Sequence, residues 1–245
     1  MIEIKLTSDQ NLSGYTLIEL FPSMGLVGAM AGSYIIEKLN MECIGYLKSD
    51  LFPPIAAVHD SKPMLPARVY KSSSLKLVLF MAEFIIPPQL ITPLSAEMLS
   101  FSRKYNISRI VSVGGLPSKS PVDSIYAVSS VDMGQQMQKA GIMPIGEGMI
   151  GGVSALLLNN AAEYGIPVLD ILVEVNPLIM DPKYAELAIT GLNRILSINI
   201  DLAELHKEVK LVEAKIHETM KKVKEHQDHM ESGEPPTPND QSMYA

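Results

Sequence analysis

Three carboxylates, Glu83, Asp170 and Glu174, lie inside apolar runs of a 245-residue chain that is 47% hydrophobic and 19% charged. A carboxylate in such a setting is either satisfied by a partner or kept for acid–base work. Asp170 and Glu174 are four residues apart, which in a strand puts them on one face at roughly 13 Å, too far to share a proton. They read as satisfied or strand-end carboxylates. Nucleophilic catalysis needs a base beside its nucleophile. His59 is the one histidine of the first 200 residues. It sits with Asp60 in a proline-rich stretch, no G-x-S-x-G elbow accompanies it, and it reads as a loop or surface residue. Cys43, the single cysteine, excludes an internal disulfide and a zinc site of several thiolates. Between Glu42 and Ile44 it reads as a small core residue. His226 and His229, three apart, are within reach of one metal ion, but on a charged helix end they read as solvated. The expectation is no catalytic set, no cofactor and no metal.

Two glycine-rich segments invite a nucleotide reading. Gly25, Gly28 and Gly32 follow an apolar run yet match neither G-x-G-x-x-G nor G-x-x-x-x-G-K-[ST]. Their spacings of three and four place them on one helical face, where small residues allow close packing. Gly148, Gly151 and Gly152 open a second helix whose N-terminus can hold an anion, but no basic residue follows within ten positions. Both segments read as structural.

The elements that position these residues alternate in type. Strands are predicted over 16–21, 44–47, 55–58, 68–70, 75–81, 109–113, 124–131 and 168–175. Helices are predicted over 26–39, with Val27, Met30 and Tyr34 on one side, and over 94–104, 148–164 and 182–198. Pro87, Pro88 and Pro93 mark a loop, Gly114-Gly115-Leu116-Pro117 a turn, and Asp181-Pro182 an N-cap with proline at the first helical position. Such alternation argues for a mixed sheet covered by helices on both faces, a three-layer α/β/α body, with an antiparallel portion between Ile44 and Met81.

Charge divides the chain. The net charge of −7 and pI near 5.3 exclude a basic nucleic-acid footprint. The last 45 residues hold 6 of the 20 basic and 10 of the 27 acidic residues, hence −4 of that total. The start MIEIKL is not a signal peptide, and no charge-free apolar run of about 18 residues is present, so no membrane partner and a cytoplasmic location are expected. The predicted organisation is a body over 1–200, a helix over 201–230 and a flexible tail over 231–245. In the helix Leu202, Leu205, Val209, Val212, Ile216 and Val223 recur at intervals of 3, 4, 3, 4 and 7, with Thr219 at the polar d position. This narrow stripe is a coiled-coil seam, facing either another subunit or the same body; self-association through a projecting helix is the preferred reading. The proline-rich tail ends in Met243, Tyr244 and Ala245, an apolar side chain, a phenol and a carboxylate suited to capture in a pocket.

A terminal hydrophobic–tyrosine–any-residue tripeptide resembles the docking motif of proteasome activators. The body over about 14–200 resembles the proteasome assembly chaperone family of archaea and eukaryotes. That resemblance rests on Gly25-Leu26-Val27-Gly28, Phe52-Pro53-Pro54, Pro87-Pro88, Gly114-Gly115-Leu116-Pro117, Gly148-Met149-Ile150-Gly151-Gly152 and Asp181-Pro182 in that order. It implies a fold similar to purine nucleoside phosphorylases without their activity. It also implies a homo-oligomer that acts without ATP on the α-subunits of the proteasome core particle, as assembly chaperone or activator. Two other readings remain: a nucleoside phosphorylase- or hydrolase-like enzyme, which needs a phosphate-binding arginine beside a glycine loop, and an oligomeric scaffold with no proteasome role.

Overall fold

The computed structural model describes residues 2–59 and 61–211. The chain divides after Leu202. The first unit contains strands β1 (Ile2–Leu6), β2 (Thr16–Leu20), β3 (Glu42–Ser49), β4 (Ala57–His59), β5 (Lys62–Met64), β6 (Ala67–Ser72) and β7 (Leu77–Ala82). They continue with β8 (Arg109–Pro117), β9 (Ile125–Ser129), β10 (Met143–Pro144) and β11 (Val168–Val175). Its helices are α1 (Val27–Lys38), α2 (Pro88–Lys104), α3 (Gly134–Ala140), α4 (Gly152–Tyr164) and α5 (Pro182–Leu196).

Nine strands form one mixed sheet in the order β1-β3-β6-β7-β2-β8-β11-β9-β10, while β4 and β5 pair as a separate ribbon. The central strands β7, β2, β8 and β11 are parallel, and β1, β3 and β6 run antiparallel to their neighbours up to β7. The burial pattern explains this division. β7 is buried along its whole length and β11 nearly so, as parallel strands covered on both faces must be. β1 alternates apolar Ile2, Ile4 and Leu6 with Glu3 and Lys5 at one edge of the sheet. The other edge is the two-residue β10, which ends in Pro144.

Helices α2 and α4 pack together on one face and α1 and α5 on the other. A core cluster joins Leu17, Phe80 and Ile110 of the sheet to Leu94 and Met98 of α2 and Leu157 of α4. The expected three layers and mixed sheet are present.

Local corrections have physical causes. α2 begins at Pro88 rather than after Pro93. Proline at the first helical position has no N–H to waste, and the one bond lost at Pro93 is offset by burial of Leu90, Leu94, Met98 and Leu99. Gly114 to Pro117 is strand, not turn, because β11 pairs with β8 as far as Val175 opposite Pro117. α4 starts at Gly152, and Gly148 to Gly151 stay outside the helix. α1 buries Val27, Gly28, Ala31, Gly32 and Ile35, so Met30 and Tyr34 lie beside its buried face rather than on it. Cys43 is exposed, not core; the register of β3 against β6 shifts between Cys43 and Gly45, and Ile44 takes the inward place. Asp181 caps α5 as expected, its Oδ1 accepting from the Lys183 N–H at 2.9 Å.

The second unit is described as far as Leu211, where residues 203–211 are helical. Leu205 and Val209 are buried there and Leu211 is exposed; Leu202, at the end of the body, is half-buried. Val212, Ile216, Val223, His226, His229, the tail over 231–245 and its Met243, Tyr244 and Ala245 lie outside the described residues.

Candidate functional site

The parallel centre of the sheet creates a cleft. From β2 the chain passes through α1 toward β3, and from β7 it passes through α2, on the opposite face, to β8 on the far side of β2. Crossovers that part in this way leave a crevice at the carboxyl ends of the strands, the usual ligand position in open α/β sheets. Here the crevice has a volume of about 410 Å³. Its walls come from the loop after β2, Ile85 and Ile86 after β7, Val113 to Pro117 of β8, and Met149 to Ser154 at the start of α4.

Close backbone approach shapes this cleft. A Cβ on Gly28 would lie 2.7 Å from the Phe21 carbonyl oxygen and 3.2 Å from that of Val113. Glycine there lets α1 sit against the ends of β2 and β8. Gly25 lies before α1, in a 3-10 turn over Met24–Leu26, with φ of +68°. The expectation that it shares a helical face with Gly28 and Gly32 is therefore wrong; a left-handed turn is its role.

At the floor of the cleft, three polar residues form a row across the sheet. Glu19 of β2 is in register with Ser112 of β8, and Ser112 with Asp170 of β11. Register partners share a face, so all three point to the layer of α2 and α4, and Glu19 itself lines the cleft. They are 5%, 0% and 1% exposed. Glu19 Oε1 accepts from the Phe21 N–H at 2.9 Å, whereas Ser112 Oγ and both Asp170 oxygens close no hydrogen bond. Burial pushes the Glu19 carboxyl up to about 8, against the Phe21 N–H; the Asp170 charge adds to the rise and the nearby Ser112 hydroxyl lowers it. Burial likewise pushes Asp170 up to about 7, with the Ser154 hydroxyl of α4 opposing it. Of the cleft-lining residues, Glu19 alone is ionisable.

Asp170 thus does have an acidic neighbour, but it is Glu19, not Glu174. Glu174 accepts from the Tyr126 hydroxyl at 2.9 Å and the Val122 N–H at 3.2 Å, which hold it below the usual carboxylate range. Glu83 is ion-paired to the buried Arg68 and lies within hydrogen-bond distance of His59 Nε2, at 2.8 Å. His59 therefore meets a carboxylate and a guanidinium rather than a serine. Sequence reading missed Glu19 because it took residues 16–21 as a plain apolar run. The signal was an acid one residue before the end of a strand buried on both faces.

None of the four arginines lines the cleft. Arg68 is held by Glu83, and Arg109 starts β8 at the opposite end of the strand. Arg103 and Arg194 lie in the last turns of α2 and α5. No cationic side chain that could pair with a phosphate lines this cleft.

The family model described as the PAC2 family matches residues 17–220, a span from β2 through the last described helix. The chain belongs to the PAC2 family. Among the relatives it matches, an uncharacterised Methanocaldococcus jannaschii protein is 26% identical over 202 residues, covering 82% of this chain and 84% of that one. Human proteasome assembly chaperone 2 is 29% identical over 112 residues, 42% of each chain. In structure, this PAC2 protein is similar to Pyrococcus furiosus PbaA, an archaeal homologue of proteasome-assembly chaperone, with TM-score 0.82 and 23% identity over 100% of this chain and 99% of that one. P. furiosus PbaB, an archaeal proteasome activator, is similar with TM-score 0.76 and 21% identity over 89% and 98% of the two chains. Those likenesses establish the fold. Among the described residues, no helix is long and apolar enough to cross a membrane.

Proposed function

We propose that this PAC2 protein is a cytoplasmic, proteasome-related chaperone or activator, not an enzyme, that works without ATP as a homo-oligomer. The observation that carries the reading is the family match across residues 17–220. The sequence likeness to human proteasome assembly chaperone 2 supports it, and a cleft without a basic residue favours it over a phosphorylase.

In this reading the body is a scaffold, the helix over 201–230 associates through Leu202, Leu205, Val209, Val212, Ile216 and Val223, and the tail over 231–245 reaches the partner. About fifteen residues of extended chain span roughly 50 Å. Several tails held on one oligomer gain avidity on a ring with several equivalent pockets. Met243 and Tyr244 enter pockets between α-subunits of the core particle, where a basic residue receives the carboxylate of Ala245.

The test mixes the purified protein with proteasome core particle and measures complex formation and peptide hydrolysis together. Deleting residues 243–245 abolishes the complex while the circular dichroism spectrum and the oligomer mass stay unchanged. Undiminished pull-down by the truncated protein would overturn the docking role of the tripeptide. Complex formation without faster hydrolysis identifies a chaperone, and faster hydrolysis identifies an activator.

A further inference from the structure

The cleft remains unused by a function that resides in the tail, and its floor has an unusual composition. The walls are apolar, with Phe21, Ile86, Ile91, Leu116, Ile150 and Leu172 among them. Its volume of about 410 Å³ falls in the range of small-molecule sites. At the bottom lies a carboxyl group, Glu19, that is 95% buried and has a single protein hydrogen bond, from the Phe21 N–H to Oε1. Behind it, one strand beyond Ser112, lies a second buried carboxyl, Asp170, whose two oxygens close no hydrogen bond. Buried carboxyls with so few donors, the Phe21 N–H on Glu19 and the Ser154 hydroxyl near Asp170, are costly to a fold.

We propose that this cleft is a binding site for a small organic cation, a primary amine or amidine carried on an apolar body, anchored by Glu19.

The complementarity is chemical and steric. The floor lacks N–H donors directed at Glu19 beyond that of Phe21, and an ammonium supplies three. An anion would approach two carboxyl groups with no cationic side chain in the lining to receive it. The start of α4 brings N–H groups without a side-chain cap to the cleft wall, so an anionic probe of the same size is the direct test of this preference. The apolar walls exclude water from the contact, which strengthens a charge-assisted hydrogen bond. Asp170 acts as a positioning residue: it is too buried to touch the ligand, and in its ionised form its field favours the cation.

Proton balance follows from the groups facing Glu19. From β11 there is Asp170, from β8 the Ser112 hydroxyl, and from α4 the Ser154 hydroxyl; α2 contributes Ile91, and the loop after β2 contributes Phe21 to Met24. Glu19, pushed up by burial, holds a proton near neutrality. When an ammonium enters, Glu19 becomes the carboxylate partner and its proton leaves to solvent, with no covalent bond made or broken.

The inference is independent of the proteasome reading and is tested without a core particle. The full chain is titrated calorimetrically at pH 7 with benzylamine, benzoate and benzyl alcohol, three probes of one size and three charges, in HEPES and in phosphate. Benzylamine binds roughly tenfold or more tightly than the other two, and its heat differs between the buffers by the ionisation of close to one proton. Glu19→Gln loses that preference and the proton release. Should Glu19→Gln fail to fold, Gly151→Phe serves instead: Gly151 lines the cleft and an added Cβ meets nothing within 4 Å, so the ring is accommodated at the cleft wall and blocks benzylamine. Absence of benzylamine binding, equal binding of benzoate or benzyl alcohol, or full binding by a folded Gly151→Phe would overturn the proposal.

Discussion

Glu19 and Asp170 lie two strands apart on one face of the sheet, bridged in register by Ser112, and neither carboxyl has a cationic partner. Neighbouring strands are about 4.8 Å apart, so the two acids are separated by about 10 Å of low-dielectric interior.

Stability should therefore fall as pH rises. Both carboxyls have raised pKa values in the folded state, to about 8 for Glu19 and about 7 for Asp170. Between their ordinary values near 4 and these raised ones, the folded chain holds protons that the unfolded chain has released. The unfolded state then binds fewer protons, and unfolding becomes easier with each step in pH. Urea midpoints should drop from pH 5 to pH 8 and then level. Glu19→Gln removes one of the two groups and should flatten the curve, gaining most over the parent protein near pH 8. A midpoint that rises from pH 5 to pH 8 in the parent and not in the variant would contradict the assignment.

Gly28→Ala should destabilise the body by about 1–3 kcal/mol, the range for forced overpacking. The added methyl meets two backbone carbonyl oxygens, which cannot swing away as a side chain does. Gly151→Ala, at a position with nothing within 4 Å of the added Cβ, is the control and should stay close to the parent in thermal melting.

Glu83→Ala should cost about 3 kcal/mol, because it strips the counter-charge from a guanidinium that is nearly buried. Arg68 keeps its Nη1 bond to the Leu65 carbonyl at 2.9 Å, but its Nε already has no partner. Replacing Arg68 and Glu83 together by Met and Leu should recover most of the loss, and a double-mutant cycle in denaturant measures the difference.

Removing residues 201–245 should lower the mass seen by light scattering while the body keeps its spectrum. An unchanged mass would assign self-association to the body alone.

What the sequence made legible follows from how locally each feature is encoded. Val168 to Val175 announced a strand buried on both faces because six of its eight residues are Val, Ile or Leu. Asp181-Pro182 announced a helix start because cap and ring constraints act within three residues. α3 escaped notice because Gly134 to Ala140 buries only Met137 and so has no apolar stripe. Pro88 and Pro93 suggested a loop because tertiary burial, which outweighs one lost hydrogen bond, cannot be read from the prolines themselves. The acid row escaped for a related reason: Glu19, Ser112 and Asp170 are more than fifty residues apart from one another in the chain and meet only through strand order. Glu174, the neighbour in sequence, belongs to a different set of contacts.

The two edges of the nine-stranded sheet differ in form but share an effect. At one, Glu3 and Lys5 form an outward ion pair at 2.9 Å on β1. At the other, β10 is only two residues long and its last, Pro144, has no N–H to donate. Charged side chains discourage a further strand on the first edge, and brevity with proline discourages one on the second. The sheet therefore does not grow by strand addition. At high concentration such edges resist templating fibres, and they leave helices and loops as the surfaces on which copies of this chain can meet.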